Sequence, residues 1–339
     1  MLRLPKFRYL QPRSVTEAIR IMADSGPDAM FVAGGTDLYP NMKRRQQTPK
    51  VVIGLAQIKD LCTVKGQPKE GMVLGASNTL SDVTADRRIQ RAYPAVAKAA
   101  ELISTPLLRN MGSIGGNLLL DTRCNYYDQN YEWRKAIHFC MKKDGEICWV
   151  ATASKRCVAV SSTDTAPALI ALKASVKLAS AKGEREIPVE ALFQNDGIDY
   201  LSRAPDEILT EVRVPGGWKS TYWKLRRRGS FDFPILGVAV ALKLSGDVVE
   251  EARLALGAVA SRPFLVEKAG EFLKGKKLTD EVIAEAAGIV ANRAKPMDNT
   301  DMDLYWRKEV ADDFAGYALR ELRGDDMRAL RLKTARQIP

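Results

Sequence analysis

Residues 30–38 read Met-Phe-Val-Ala-Gly-Gly-Thr-Asp-Leu, and residues 112–117 read Gly-Ser-Ile-Gly-Gly-Asn. In the first stretch, paired glycines separate a predicted strand from a predicted helix that begins at Leu38. Such glycines let the backbone turn sharply and bring its N–H groups close to an anion, next to a helix N-terminus. Taken alone, the first stretch is more typical of a tight turn. Neither stretch has the G-x-G-x-x-G spacing of a Rossmann site, so together they favour a phosphate-rich cofactor bound in another way.

The length and composition predict an ordinary globular protein. The 339 residues suggest two or three domains at about 150 residues each. Hydrophobic residues make up 46% of the chain and charged residues 27%. No apolar run approaches the about 20 residues of a membrane helix. The N-terminus lacks the apolar core of a secretory signal, so we expect a cytoplasmic protein with no membrane partner.

The chain carries a net charge of +11, and its basic residues form short clusters at 43–45, 226–228, 274–277 and in the C-terminal tail. Such an excess of positive charge could bind nucleic acid, a phosphorylated ligand or an acidic partner protein. Alternatively, the basic residues only form solvated faces of the protein. The sequence contains no recognition-helix, RRM-like or KH-like pattern. We therefore expect no nucleic-acid partner.

The order of predicted elements indicates an α+β protein. Ser14 to Glu17 read as a capping box, which predicts a helix that ends near Gly26. Strand, helix and strand then follow between residues 30 and 55, an order that predicts a small parallel sheet. Further strands are predicted at 72–76, 158–161, 175–179, 208–214, 222–228 and 235–244, and further helices at 94–103, 264–273 and 279–294. Pro215-Gly216-Gly217 is the clearest boundary.

The two glycine stretches, in this order and at this distance, resemble the FAD-binding medium subunits of the xanthine dehydrogenase and carbon monoxide dehydrogenase family. The resemblance continues through residues 7–18, 74–77, 163–169, 206–215, 222–232 and 257–263. It implies a PCMH-type FAD-binding fold of two α/β subdomains, followed by a smaller C-terminal α+β domain of the CO dehydrogenase flavoprotein type. The implied boundaries are 1–55, 56–216, 217–325 and a basic tail at 326–339.

The same resemblance implies the residues that hold FAD. Those expected to wrap its diphosphate and ribityl chain are Phe31, Val32, Ala33, Gly34, Gly35, Thr36, Asp37, Leu38, Gly112, Ser113, Ile114, Gly115, Gly116 and Asn117. Ile103 is expected near the isoalloxazine, with Ile208 or Leu209 as an apolar contact. Asp164 is expected to accept hydrogen bonds from the sugar alcohols, and Lys224 to lie close to the flavin; the alternative for this pair is a surface ion pair. With one histidine, the chain offers no hydrolytic triad, so we predict no catalytic residue.

Four of the five cysteines are clustered: Cys124, Cys140, Cys148 and Cys157, separated by 15, 7 and 8 residues. In a cytoplasmic chain such a cluster indicates metal ligands rather than disulfides. No pair is C-x-x-C, so ordinary zinc ribbons and bacterial ferredoxin patterns do not fit. The spacing itself leaves one zinc ion and one cubane iron–sulfur cluster open. His138 is expected to lie outside the ligand set.

The comparison with the family favours the iron–sulfur cluster. The stretch from Asn117 to Asp164 is much longer than in ordinary members, and the excess, at about 118–160, contains all four clustered cysteines. This insertion resembles that of the 4-hydroxybenzoyl-CoA reductase medium subunits, which implies a 4Fe–4S cluster held by the four thiolates.

The resemblance also implies a role in electron transfer. Electrons are expected to come from a ferredoxin-like donor through the 4Fe–4S cluster and FAD to 2Fe–2S clusters of a small subunit. They would end at molybdopterin on a large subunit, in a heterotrimer or a dimer of heterotrimers, for reductive dehydroxylation in anaerobic aromatic degradation. Two alternatives remain open: the FAD subunit of another molybdenum hydroxylase or phenol dehydroxylase, of xanthine or aldehyde dehydrogenase type, and a zinc-stabilised nucleic-acid-binding protein.

Overall fold

The computed structural model describes residues 2–336, which form three β-sheets with helices packed against them. The first sheet is small and parallel. Its strands are β1 (Arg8–Leu10), β2 (Ala29–Val32) and β3 (Val51–Gly54), in the order β1-β3-β2, and its helices are α1 (Val15–Ser25) and α2 (Leu38–Lys43). This confirms the parallel sheet predicted for the N-terminal segment.

The predicted start of α1 is confirmed, but only half of its capping box forms. The Ser14 hydroxyl accepts a hydrogen bond from the Glu17 N–H at 3.1 Å. The Glu17 carboxylate turns to the Arg13 N–H at 2.8 Å rather than to Ser14. Gly26 ends the helix at φ 61°, a conformation that favours glycine.

The second sheet has five antiparallel strands in the order β4-β5-β8-β6-β7. Its strands are β4 (Val64–Gln67), β5 (Gly71–Gly75), β6 (Ser175–Ser180), β7 (Gly183–Pro188) and β8 (Ile208–Pro215). The helices between them are α3 (Leu80–Ala85), α4 (Arg87–Ala92), α5 (Pro94–Glu101), α6 (Pro106–Arg109), α7 (Ile114–Leu118), α8 (Tyr131–Ala136) and α9 (Thr165–Ala171).

The third sheet is antiparallel, with the order β12-β11-β10-β9. Its strands are β9 (Lys219–Leu225), β10 (Leu236–Ser245), β11 (Val248–Gly257) and β12 (Phe264–Leu265), and the helices that follow are α10 (Glu267–Leu273), α11 (Asp280–Arg293), α12 (Leu304–Arg323) and α13 (Arg328–Arg336). The end of the predicted basic tail, residues 337–339, lies outside the described residues.

The third sheet is buried on both faces. Because alternate residues of a strand point to opposite sides, neighbouring residues of β10 belong to different cores. Ala239 and Ala241 of β10 join the core beneath the second sheet and α9. Val238, Val240 and Leu242 of the same strand join a separate core with α10, α11 and α12. This explains why β10 reads as a continuous apolar run rather than as alternation.

Two predicted elements were wrong. The strand predicted at 158–161 is a single bridge, in which Val160 exchanges both backbone hydrogen bonds with Arg123 at 2.7 and 2.8 Å. The helix predicted from residue 264 begins at Glu267, because Phe264 and Leu265 pair with β11 as β12. Among residues 2–336, no helix combines the length and the apolar content that crossing a membrane requires.

Candidate functional site

The two glycine stretches meet at one cavity of about 340 Å³, within the usual size of a cofactor site. A Cβ on Gly34 would lie 1.7 Å from the Met111 carbonyl oxygen, so the first loop packs directly on the backbone before the second. Gly35 has φ +73°, and a Cβ there would lie 2.2 Å from the Tyr39 ring. A Cβ on Gly115 would lie 2.7 Å from that of Ala76. Gly34 therefore permits the close approach of the two loops, and Gly35 and Gly115 permit close packing on Tyr39 and Ala76.

Most of the predicted FAD residues line this cavity. They are Phe31, Val32, Ala33, Gly34, Gly35, Thr36, Asp37, Leu38, Ile103, Gly112, Ser113, Gly115, Gly116, Asn117, Asp164, Ile208 and Leu209. Two do not: the Ile114 side chain is fully buried in the core, and Lys224 lies behind Asp164. The cavity thus gathers residues that are far apart in the chain, and their individual roles toward FAD stay a prediction.

Asn117 joins the second glycine loop to the segment that carries Asp164. Its side-chain oxygen accepts hydrogen bonds from the Thr163 hydroxyl at 2.9 Å and from the Thr165 N–H and hydroxyl at 3.1 and 2.6 Å. This oxygen is fully engaged, which leaves the amide nitrogen as the polar group free to face the cavity. The Ser113 hydroxyl likewise accepts from the Gly116 N–H at 3.0 Å and fixes the first turn of α7.

Asp164 and Lys224 form a buried ion pair rather than the surface pair of the alternative reading. The Lys224 ammonium donates to the Asp164 carboxylate at 2.9 Å, with side-chain exposures of 1% and 3%. The second carboxylate oxygen accepts from the Tyr222 hydroxyl at 2.8 Å. Burial raises the pKa of Asp164 and lowers the pKa of Lys224, and the attraction between the two charges opposes both shifts.

We expect Lys224→Met to destabilise the protein by about 3–5 kcal/mol, because it leaves the Asp164 carboxylate buried without its counter-ion. Urea unfolding of the purified chain measures the change in the free energy of unfolding. The matched control is Lys50→Met, which removes an exposed ion pair with Asp28 of similar length, 2.7 Å. The control should change the free energy of unfolding by less than about 1 kcal/mol. Equal losses in both variants would contradict the account of the buried pair.

Several residues of the cavity were missed by sequence reasoning. Asp121 and Arg123 enter it from the cysteine-rich insertion, and Phe231 and Phe233 cover its edge with 58% and 46% exposure. The Asp37 carboxylate, predicted to contact FAD, is paired with the Arg123 guanidinium and accepts from the Asp121 N–H at 3.3 Å. One signal could have indicated Phe231, because it lies in residues 222–232, a segment that resembles the family. Nothing in the sequence predicted that the insertion reaches this cavity.

The four clustered cysteines face a second, much smaller pocket of about 10 Å³. All four are buried, and burial raises the pKa of Cys124 to about 12 and that of Cys157 to about 11. Among residues 2–336, no three acidic, cysteine or histidine side chains are arranged so that they could hold one metal ion. The structure therefore brings the cysteines together without showing a metal site. His138 is exposed, as expected.

Comparison with known proteins agrees with this architecture. Residues 5–217 match the family described as the FAD binding domain in molybdopterin dehydrogenase, and residues 220–322 match the CO dehydrogenase flavoprotein C-terminal domain. The carbon monoxide dehydrogenase medium chain of Hydrogenophaga pseudoflava is 29% identical, over 93% of this chain and 96% of the relative. The aldehyde oxidoreductase FAD-binding subunit PaoB of Escherichia coli is 31% identical, over 85% and 93%.

The solved carbon monoxide dehydrogenase of Hydrogenophaga pseudoflava has the same fold. It superposes with a TM-score of 0.76 at 27% identity, covering 94% of this chain and 97% of that one. The α+β fold with a separate C-terminal domain is thus confirmed. Because the first family match spans well over half of the chain, this protein belongs to the FAD-binding medium subunits of the molybdenum hydroxylases, the oxidoreductase family of the carbon monoxide and xanthine dehydrogenases.

Proposed function

We propose that this chain is the FAD- and 4Fe–4S-binding electron-transfer subunit of a molybdenum-containing reductase, with 4-hydroxybenzoyl-CoA as the substrate of the complex. The observation that carries the proposal is the position of the insertion. It places four buried cysteines around one pocket and sends Asp121 and Arg123 into the neighbouring FAD cavity. An insertion that only stabilised the fold would have no need to reach the flavin site.

The FAD cavity fits its cofactor through backbone geometry. Gly34 lets the first loop pack on the backbone before the second, whereas Gly35 and Gly115 pack closely on Tyr39 and Ala76. Backbone N–H groups of loops without these side chains can approach a diphosphate. Asp164 and the Asn117 amide present polar groups to the same cavity. FAD supplies chemistry that accepts or gives electrons singly or in pairs. The contribution of the protein is to bind and orient this group and to set its potential with nearby charges.

The residue types that line the cysteine pocket support the proposed iron–sulfur cluster. Four cysteines match the thiolate ligation of a 4Fe–4S cluster, and all four are shielded from water. Met141, Trp149 and Val150 supply apolar walls. The raised pKa values of Cys124 and Cys157 oppose free thiolates, so we expect these two thiols to lose their protons only when a cation binds.

The proposed route runs from a ferredoxin-like donor through the cysteine pocket and the FAD cavity to 2Fe–2S clusters of a small subunit, then to molybdopterin on a large subunit. The large subunit would hold the molybdopterin, and the overall reaction there would consume two electrons and two protons and release the phenolic oxygen of the substrate as water. The proposal includes a cytoplasmic heterotrimer or dimer of heterotrimers, and the division of this chain at 1–55, 56–216, 217–325 and 326–339.

The second candidate is the FAD subunit of another molybdenum hydroxylase or phenol dehydroxylase. It is favoured by the names of the relatives, which are dehydrogenases of carbon monoxide, glyceraldehyde and xanthine. In such a complex electrons would leave the substrate through FAD to an outside acceptor. The two candidates differ in the substrate that the complex converts.

We expect the complex, purified with its own large and small subunits, to convert 4-hydroxybenzoyl-CoA to benzoyl-CoA when supplied with a strong one-electron reductant. Product formation is followed by liquid chromatography and mass spectrometry. The same preparation is offered aldehydes, xanthine and carbon monoxide with an artificial electron acceptor. Oxidation of one of these substrates, with no dehydroxylation, would establish the second candidate and refute the first.

A further inference from the structure

Between the FAD cavity and the cysteine pocket lies one buried polar network. The Lys142 ammonium donates to the Asp121 carboxylate at 2.8 Å, to the Thr122 hydroxyl at 2.7 Å and to the Gly197 carbonyl at 2.6 Å. All three of its protons are thereby used. The second Asp121 oxygen accepts from the Tyr127 hydroxyl at 2.8 Å. The exposures of the Lys142 and Asp121 side chains are 6% and 4%.

The two charges of this network face different pockets. Asp121 lines the FAD cavity, whereas Lys142 lines the cysteine pocket together with Tyr127. The Lys142 ammonium also lies 4.7 Å from the centre of the Tyr127 ring and 5.3 Å from that of Tyr200, which lines the FAD cavity. The ion pair therefore forms a fixed dipole, with its positive end at the cysteines and its negative end at the flavin site.

The charges next to this ion pair form a separate group, which also lines the FAD cavity through Asp37 and Arg123. The Arg123 guanidinium is paired with the carboxylates of Asp37 and Asp128. Among the ion pairs of the described residues, Lys142 pairs with Asp121 and not with a member of this group. In a buried, weakly screened setting, a charge acts on nearby groups much more strongly than in water.

We infer that Asp121 and Lys142 are positioning residues that shift the reduction potentials of the two redox sites in opposite directions. A redox centre gains negative charge when it is reduced. The ammonium therefore favours reduction at the cysteine pocket, and the carboxylate disfavours reduction at the flavin. The inference rests on the proposed cofactors, and it explains why an ion pair that is costly to bury stands between the two pockets.

The test is the double variant Asp121→Asn/Lys142→Met in the intact complex. It removes the dipole while the net charge stays constant, and it leaves neither charge buried alone. We expect the cluster potential to become more negative and the flavin potential to become more positive. Together these shifts should change the equilibrium between reduced cluster and reduced flavin by at least about tenfold, which is about 59 mV for a one-electron couple. Spectroelectrochemical titration of the flavin bands and of the iron–sulfur EPR signal measures both.

The control is Lys50→Met/Asp28→Asn, an ion pair outside the lining of both pockets, whose charges are 2.7 Å apart and 75% and 55% exposed. It should move neither potential appreciably, because water and salt screen exposed charges. Shifts of the same sign at both sites, or equal shifts in the control, would overturn the inference.

Two further readouts separate the inference from the proposed function. If the wild-type complex lacks iron at the cysteines, the proposed cluster is refuted. The flavin potential of the double variant then decides the inference. A rise in this potential supports the inference, and an unchanged potential overturns it. Should the double variant lose its cofactors, Tyr127→Phe decides instead. This variant removes the hydrogen bond that the Tyr127 hydroxyl donates to the Asp121 carboxylate. Because the carboxylate charge is then less compensated, the flavin potential should fall. An unchanged or raised flavin potential would overturn the inference.

Discussion

Gly34→Ala is expected to reduce the FAD content of the protein at least tenfold, a loss of about 1.4 kcal/mol or more in binding free energy. The new Cβ would lie 1.7 Å from the Met111 carbonyl oxygen, 2.3 Å from its carbonyl carbon and 3.0 Å from the Gly112 nitrogen. All three are backbone atoms, which cannot rotate away as a flexible side chain would. The two glycine loops must therefore separate, and the diphosphate site opens.

The measurement is FAD per chain after denaturing extraction, with a circular dichroism spectrum to verify the fold. Overpacking of this kind also costs stability, about 1–3 kcal/mol. Gly316→Ala is the control, because nothing lies within 4 Å of a Cβ there and the residue is inside α12. The control should retain its FAD and gain up to about 1 kcal/mol in stability. A folded Gly34→Ala variant with full FAD content would contradict the assignment of the loops.

Cys140→Ser is expected to abolish the iron–sulfur cluster, a loss of about four iron atoms per chain, and to leave FAD bound. A serine hydroxyl keeps its proton under conditions in which a metal-bound thiol loses it, so one ligand is missing. FAD should remain because Cys140 lines the cysteine pocket and not the FAD cavity. Iron analysis and the flavin absorption of the purified complex measure both contents.

Cys62→Ser is the control for this variant. Cys62 is exposed and lies outside the cysteine pocket, so its replacement should change neither iron nor FAD. Two outcomes would count against the account: unchanged iron in Cys140→Ser, or loss of FAD together with iron from a variant that is still folded.

The local patterns of the sequence predicted the local structure well. The glycine stretches predicted the two loops. Short-range signals also predicted the helix from Leu38 and the parallel strand at Val51–Gly54. β12 was misread because Phe264 and Leu265 continue an apolar helical pattern, while their actual partners lie in β11, a pairing that local periodicity does not encode.

Long-range contacts explain what the sequence could not reveal about the site. Lys224 stays predicted beside the flavin, and the sequence did not reveal that its ammonium donates to the Asp164 carboxylate and to the Leu102 carbonyl. Asp121 lies in the insertion, whose path back to the FAD cavity depends on contacts with residues such as Gly197 and Asp37. Such contacts follow from the folded arrangement of distant segments and leave no periodic signal along the chain.

The most direct test is an electron cryo-microscopy map of the complex isolated with its natural subunits. The account predicts an FAD diphosphate between the loops at 34–37 and 113–117, and a cubane density joined to the sulfurs of Cys124, Cys140, Cys148 and Cys157. Flavin density elsewhere in the chain, or a single-ion or empty density among the four sulfurs, would contradict it.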